Sequence, residues 1–149
     1  RNGGATDKGL QSFGIRLMTA PEICVGAIVI FENDILLIKR AAEPYSGTWS
    51  IPGGRVRDDE PLKKAIEREL LEETGIRGKC QSFIGMSEMK TEDFHGVILD
   101  FEVSIKEKTR PTPSSDAAEA EWVPMKSLDH LEMPEGLKDF LINHGYLSK

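Results

Sequence analysis

Between Gly53 and Ile76 the chain reads GGRVRDDEPLKKAIERELLEETGI, and no other stretch restricts the fold as much. Two adjacent glycines and an acidic turn lead into a helix predicted over Glu60 to Thr74, with Gly75 as its stop. Pro61 suits the first helical turn, where its missing N–H costs nothing, and Asp59 and Glu60 oppose the positive end of the helix dipole. At about 100° per residue, Leu62, Ile66 and Leu70 form an apolar stripe. Glu69 and Glu73 fall beside or inside that stripe, and Glu72 lies beyond one edge. Lys64 and Glu67 take the opposite side, so the carboxylates are not simply the wet face of an amphipathic helix. Like charges pressed toward a core repel and lose hydration, which a protein tolerates where a cation or a shared proton compensates.

The spacing i, i+3, i+4 lets Glu69, Glu72 and Glu73 converge on one side of a helix. Hard oxygen ligands so arranged suit Mg²⁺, which takes a few carboxylates, waters and substrate phosphates in octahedral geometry. Gly53 and Gly54 allow backbone to approach a metal or phosphate closely, and a carbonyl there adds one more oxygen ligand. Arg68 can hold a carboxylate by two hydrogen bonds and fix its aim.

A length of 149 residues with 39% hydrophobic content fits one domain with a real core. The formal net charge of −6 argues against a nucleic-acid partner held through its phosphates, so a phosphate-bearing substrate needs a metal. No apolar run approaches the ~18 residues that span a bilayer. The expectation is a cytoplasmic protein with no membrane partner. Cys24 and Cys80 form no CxxC pair and read as buried free thiols, while His95, His130 and His144 lack metal-ligand spacing.

Residues 1–20, Gly-rich at first and not opened by Met, read as an extension or tag remnant with the option of adding a strand; residues 21–149 read as the single domain. Glu22–Phe31 and Ile35–Arg40 read as strands joined at Glu32-Asn33-Asp34. Lys39 and Arg40 end the second strand, either as solvated charges or as a phosphate contact. Thr48–Ile51 is a short strand in which Trp49 packs. Lys79–Met89 and His95–Lys106 follow as strands. In the latter Val97, Leu99, Phe101, Val103 and Ile105 take one face and Asp100, Glu102, Ser104 and Lys106 the other, so one face is expected buried and one polar. Asp116–Val123 leads into another strand, and an amphipathic helix is expected from Pro134, with Leu137, Phe140, Leu141 and Ile142 inward. Several strands with a central and a terminal helix suggest an α/β fold, a mixed sheet covered on both sides.

Gly54, five residues, Glu60, seven residues and then Arg68-Glu69-Leu70-Leu71-Glu72-Glu73-Thr74-Gly75-Ile76 resembles the Nudix box at every defined position. ILLIKR, the Gly47-x-Trp49-x-Ile51-Pro52-Gly53-Gly54 approach and Glu119-x-x-Trp122 also look like their Nudix counterparts, so the resemblance runs from about Glu22 to Tyr146. It implies an α/β/α sandwich that uses Mg²⁺ or Mn²⁺ to cleave a nucleoside diphosphate linked to another group. Carried over by position, Glu69 and Glu73 are the principal metal ligands, and Glu72 binds a further metal or orients the attacking water. The Gly53 carbonyl completes the shell, Glu60 supports it, and Arg68 orients the carboxylates. Substrate would meet Arg40 and Gly54. Asp116 and Glu119 are candidates for the further acid that relatives draw from outside the box, with loop or cap roles as the competing reading. Partners implied are a small nucleotide and, as in many relatives, a second copy of the chain in a homodimer.

The substrate is less legible. Arg57 and Asp59 stand where many relatives have Glu and Gly. Thr91-Glu92-Asp93-Phe94 carries none of the proline or tyrosine that marks particular substrates in relatives, and Met133-Pro134-Glu135 lacks their base-reading Asn. The segment Asp116 to Trp122 looks like that of small ADP-ribose pyrophosphatase-like members, which favours ADP-ribose or a nucleotide sugar. Two alternatives stay open: a (deoxy)nucleoside triphosphate pyrophosphohydrolase, and a non-catalytic nucleotide-sensing module.

Overall fold

Val29 is where the chain changes sheets, in the middle of the run expected to be one strand. β1 (Glu22–Ile28) belongs to one sheet, and β2 (Ile30–Phe31) to another with β3 (Asp34–Arg40). Glu32 (φ 51°) and Asn33 (φ 71°) form the β2–β3 turn, the left-handed pair that a tight, right-twisted hairpin needs. This computed structural model describes residues 20–148. The expected extension over residues 1–20 lies, apart from Ala20, outside the described residues.

The first sheet has the order β5-β1-β7-β6, with β5 at Gly53–Arg55, β6 at Lys79–Lys90 and β7 at His95–Ser104. It is mixed: β1 runs parallel to β7, while β1/β5 and β6/β7 are antiparallel. The second sheet is antiparallel, with β3 between β2 and β4 (Trp49–Ser50) and also paired to β8 (Ala117–Pro124). The α/β class with a mixed sheet and flanking helices stands, its strands divided between two sheets.

Helix α1 (Leu62–Thr74) covers one face of the first sheet. Its Ala65, Ile66 and Leu70 pack with Val25, Ala27, Phe101 and Val103. Each such buried aliphatic side chain contributes about 1.5–3 kcal/mol, so packing fixes the helix more firmly than its ends do. Pro61 caps it without a side-chain hydrogen bond, and Gly75 (φ 73°) closes it by donating its N–H to the Leu71 carbonyl at 2.9 Å. The opposite side of the molecule is a second core of Ile28, Ile35, Leu37, Ile51, Leu128, Phe140 and Leu141, drawn from both sheets, a 3₁₀ helix (Met125–His130) and α2 (Leu137–Asn143). Trp49 packs against it, and Cys24 and Cys80 are buried free thiols.

Three expectations are corrected. Helix α1 begins at Leu62 and not Glu60, because Pro61 is extended (φ −63°, ψ 145°); its first turn holds no acid, and Glu60 stays in the preceding turn. Helix α2 begins at Leu137 and not Pro134, after Gly136 turns the chain at φ 90°. There Phe140 and Leu141 are buried, whereas Leu137 and Ile142 are half-buried. On β7 the face expected to meet water carries Asp100, which is 1% exposed. Both faces of that strand are covered at this point, one by α1 and one by the second core, so alternation of residue type does not become alternation of burial.

Candidate active site

The loop from β5 to α1 is tied down by one arginine. Arg68 donates from Nε and Nη2 to the two carboxylate oxygens of Glu60, at 2.7 and 2.8 Å, and from Nη2 to the Arg55 carbonyl at 3.1 Å. Glu60 also accepts the Arg57 N–H at 3.0 Å. The Arg68 hydrogen bonds, helped by that N–H, hold the Glu60 carboxyl down at about 2, and the Arg68 guanidinium is in turn held above its ordinary value. Glu72 joins this group, accepting from Arg68 Nη1 at 3.2 Å with Arg57 Nη2 at 3.5 Å.

Glu69 and Glu73, unlike Glu72, line a cavity. Glu73 is 3% exposed and accepts the Gly53 N–H on Oε1 at 2.9 Å. Burial pushes its carboxyl up to about 8; the Gly53 hydrogen bond opposes the rise, and the fields of Glu69 and Asp116 add to it. Burial also raises Glu69, against the pull of Arg68 Nη1 at 3.4 Å. Gly54 leaves room here for the Glu69 carboxylate, which a Cβ on it would overlap and displace. The cavity that both acids line has a volume of about 430 Å³, and Arg40, Gly53, Gly54 and Asp116 also line it.

The group thus has more negative charge than partners. As placed, no three His, Cys, Asp or Glu side chains among the described residues gather closely enough to hold a metal ion. Arg57 and Arg68 draw Glu72 aside, leaving the buried Glu73, the half-buried Glu69 and backbone at the cavity. That set still fits a hard divalent cation, which uses few carboxylates and completes its shell with water and phosphate oxygens.

A family model described as the NUDIX domain matches residues 20–143. The chain belongs to the Nudix family. It is 32% identical over 130 residues to an ADP-ribose pyrophosphatase from Methanocaldococcus jannaschii, covering 85% of this chain and 76% of that protein. It is 28% identical over 123 residues to an 8-oxo-dGDP phosphatase from Mus musculus, covering 80% of this chain and 38% of that protein, so it spans well under half of this second relative. Among solved structures, a MutT protein from Methanosarcina mazei Go1 superposes with a TM-score of 0.76 at 26% identity, over 86% of this chain and 96% of that one.

Within this Nudix hydrolase the residues named from outside the box divide. Arg40 lines the cavity, its Nε donating to the Pro44 carbonyl at 2.7 Å. Asp116 lines it too. Glu119 is not part of the lining; it pairs with Lys39 at 3.6 Å and its side chain is 52% exposed. Asp100 is the site residue that sequence reasoning missed: it lies in the cavity with Oδ1 lacking any hydrogen-bond partner among the described residues, and burial alone raises its carboxyl to about 7. No local motif marks it. No helix among the described residues is long and apolar enough to cross a bilayer.

Proposed function

We propose that this Nudix hydrolase is divalent-metal-dependent and cleaves the pyrophosphate of a nucleoside diphosphate linked to another group, with ADP-ribose or a nucleotide sugar preferred. The under-compensated pair of buried Glu73 and half-buried Glu69, both lining the cavity, carries the reading. Similarity to an ADP-ribose pyrophosphatase supports the choice of substrate.

Glu69 and Glu73 would hold Mg²⁺ or Mn²⁺, with oxygen from the Gly53 backbone. When bound, the cation offsets phosphate charge and acidifies water. The chain's own residues do the rest. Glu60 and Arg68 lock the loop that carries Gly53 and Gly54 against the helix, so the acids keep their aim. Arg40, at the cavity wall, meets phosphate oxygens. Asp116, which lines the cavity where Glu119 does not, accepts the proton of the attacking water. Water adds to one phosphorus, the bridging P–O bond breaks, and ADP-ribose would give AMP and ribose 5-phosphate.

The second reading, a nucleoside triphosphate pyrophosphohydrolase, draws on similarity to a CTP pyrophosphohydrolase from Escherichia coli. A product assay over ADP-ribose, sugar nucleotides, dinucleoside polyphosphates and nucleoside triphosphates decides. AMP and ribose 5-phosphate, formed with Mg²⁺ or Mn²⁺ and abolished by chelator, are expected. Pyrophosphate released from a triphosphate with ADP-ribose untouched would overturn the preferred substrate. Tight nucleotide binding with no turnover on the whole panel would instead make the protein a sensor.

A further inference from the structure

Gly53, Gly26, Asp100 and Gly85 form a single row across the first sheet, one residue each from β5, β1, β7 and β6. Three members have no side chain, so the Asp100 carboxyl is the only group standing on that row. The emptiness is required on both sides. A Cβ on Gly26 would overlap Asp100 Oδ1 and crowd Ile51, and one on Gly85 would crowd the His144 ring. Above Gly53, Gly26 and Asp100 lies the cavity, walled by Ile38, Ile51, Ile98, Met89, Phe94 and Leu137, while His144 and Phe140 cover Gly85. Asp100 is 1% exposed with Oδ1 unpartnered among the described residues, a placement that costs stability unless a ligand completes it. At ~4.8 Å per strand it lies roughly 10 Å from Gly53, on which Glu73 rests. A ribose bridges that gap between phosphates at one end and a base at the other.

We propose that Asp100 is the specificity residue for the nucleobase, its carboxyl pairing in plane with an amino group and the neighbouring ring nitrogen, the edge that adenine presents, while the apolar walls cover the ring. The inference rests on the nucleotide reading above and adds which part of the substrate is read, and by what. Apolar walls with one convergent polar group suit a flat base, whereas a sugar needs several. An edge with one donor and one acceptor is matched by a neutral carboxyl, and the burial that lifts Asp100 to about 7 favours that form.

Calorimetric binding of AMP and purine riboside 5′-monophosphate to the full chain tests this without turnover, because the second nucleotide keeps the acceptor ring nitrogen and lacks the amino group, whereas a neutral carboxyl would pair equally with the reversed edge of IMP. Wild type is expected to favour AMP by ~10-fold or more. Asp100→Asn keeps a donor and an acceptor in the same shape and should keep the preference. Asp100→Val removes both, suits a buried strand position, and should equalise the two nucleotides while raising KM for ADP-ribose ~10-fold. A wild-type protein indifferent to the base, a folded D100V protein that still prefers AMP, or a D100N protein that loses the preference would each overturn the proposal. Failure of ADP-ribose as a substrate appears in the product assay and leaves the comparison of the two monophosphates to stand or fall by itself.

Discussion

Two groups of acids at α1 keep the same side chain in opposite states. In one, Glu60, Arg68 and Glu72 satisfy one another, and the Glu60 carboxyl is held at about 2. In the other, a few residues along, Glu73 is buried with one backbone N–H and neighbouring acids, and its carboxyl is pushed to about 8. A helix under selection for stability alone would have apolar residues in place of the second group. The difference separates architecture from chemistry within a single turn: the paired acids fix the loop, and the under-paired acids leave room for a cation.

The comparison breaks most severely if the under-paired group can be neutralised at no functional cost. Glu73→Gln and Glu69→Gln are each expected to lower kcat by ~10³-fold, because each removes charge at the reacting centre and keeps the shape. Thermal stability at pH 8 should hold or rise, since a poorly compensated buried carboxylate is gone. Turnover and thermal midpoint measured together check both halves, and a doubly substituted protein that remains active would refute the assignment.

Gly54→Ala comes next. The new methyl overlaps the Glu69 carboxylate and must push it aside, and a displacement of about 1 Å at a reacting centre costs ~10²-fold in rate. Glu60→Gln, in the satisfied group, is expected to cost less, ~10-fold in apparent metal affinity with kcat recovered at saturating Mg²⁺. A metal titration of activity distinguishes the two variants. If E60Q proved as damaging as E73Q at saturating metal, Glu60 would belong with the chemistry.

The acids also differ in how they couple folding to pH. Glu73 titrates near 4.5 when unfolded and near 8 when folded and metal-free. Between those values the folded chain holds a proton that the unfolded chain has lost. Stability from this group is therefore whole below pH 4.5, falls as pH rises through the window to 8, and levels above it. Asp100 adds a fall of the same sign from 3.8 to about 7. The metal-free thermal midpoint should decline from pH 5 to pH 8, and Mg²⁺ should restore it most at the upper end, where the pair is ionised. In Glu73→Gln the decline should shrink. A midpoint that climbs across this range would show that the burial is relieved in solution.

The box could be read in advance because its information is local. Spacing of i, i+3, i+4 fixes which carboxylates share a side of a helix, and Gly75 ends that helix in the structure as in the sequence. What escaped depends on contacts between distant residues. Glu72 points away because Arg57 and Arg68 take it, and the reach of Arg57 across the turn cannot be seen in helical periodicity. Asp100 looked like a water-facing strand residue because alternation shows that two faces exist, not that both are covered. Its glycine neighbours, Gly26 and Gly85, lie 74 and 15 positions away in sequence and become neighbours only through strand register. Val29 likewise carries no breaker residue; the chain crosses between sheets there because each half finds a different partner.

The smallest expected effect sharpens the comparison from outside the helix. Glu119 and Asp116 were equal candidates as the acid drawn from beyond the box, yet Asp116 lines the cavity while Glu119 pairs with Lys39 at 3.6 Å in solvent. An exposed pair of that kind contributes ~0–1 kcal/mol and weakens further in salt. Glu119→Ala should therefore change kcat/KM by less than ~2-fold and leave the midpoint nearly unmoved. Asp116→Asn should lower kcat, because it removes the carboxylate proposed to accept a proton from water. Were the two outcomes reversed, β8 would have to slide along β3 to bring Glu119 into the cavity, and the register Lys39 to Glu119 and Arg40 to Ala117 would not describe the active protein.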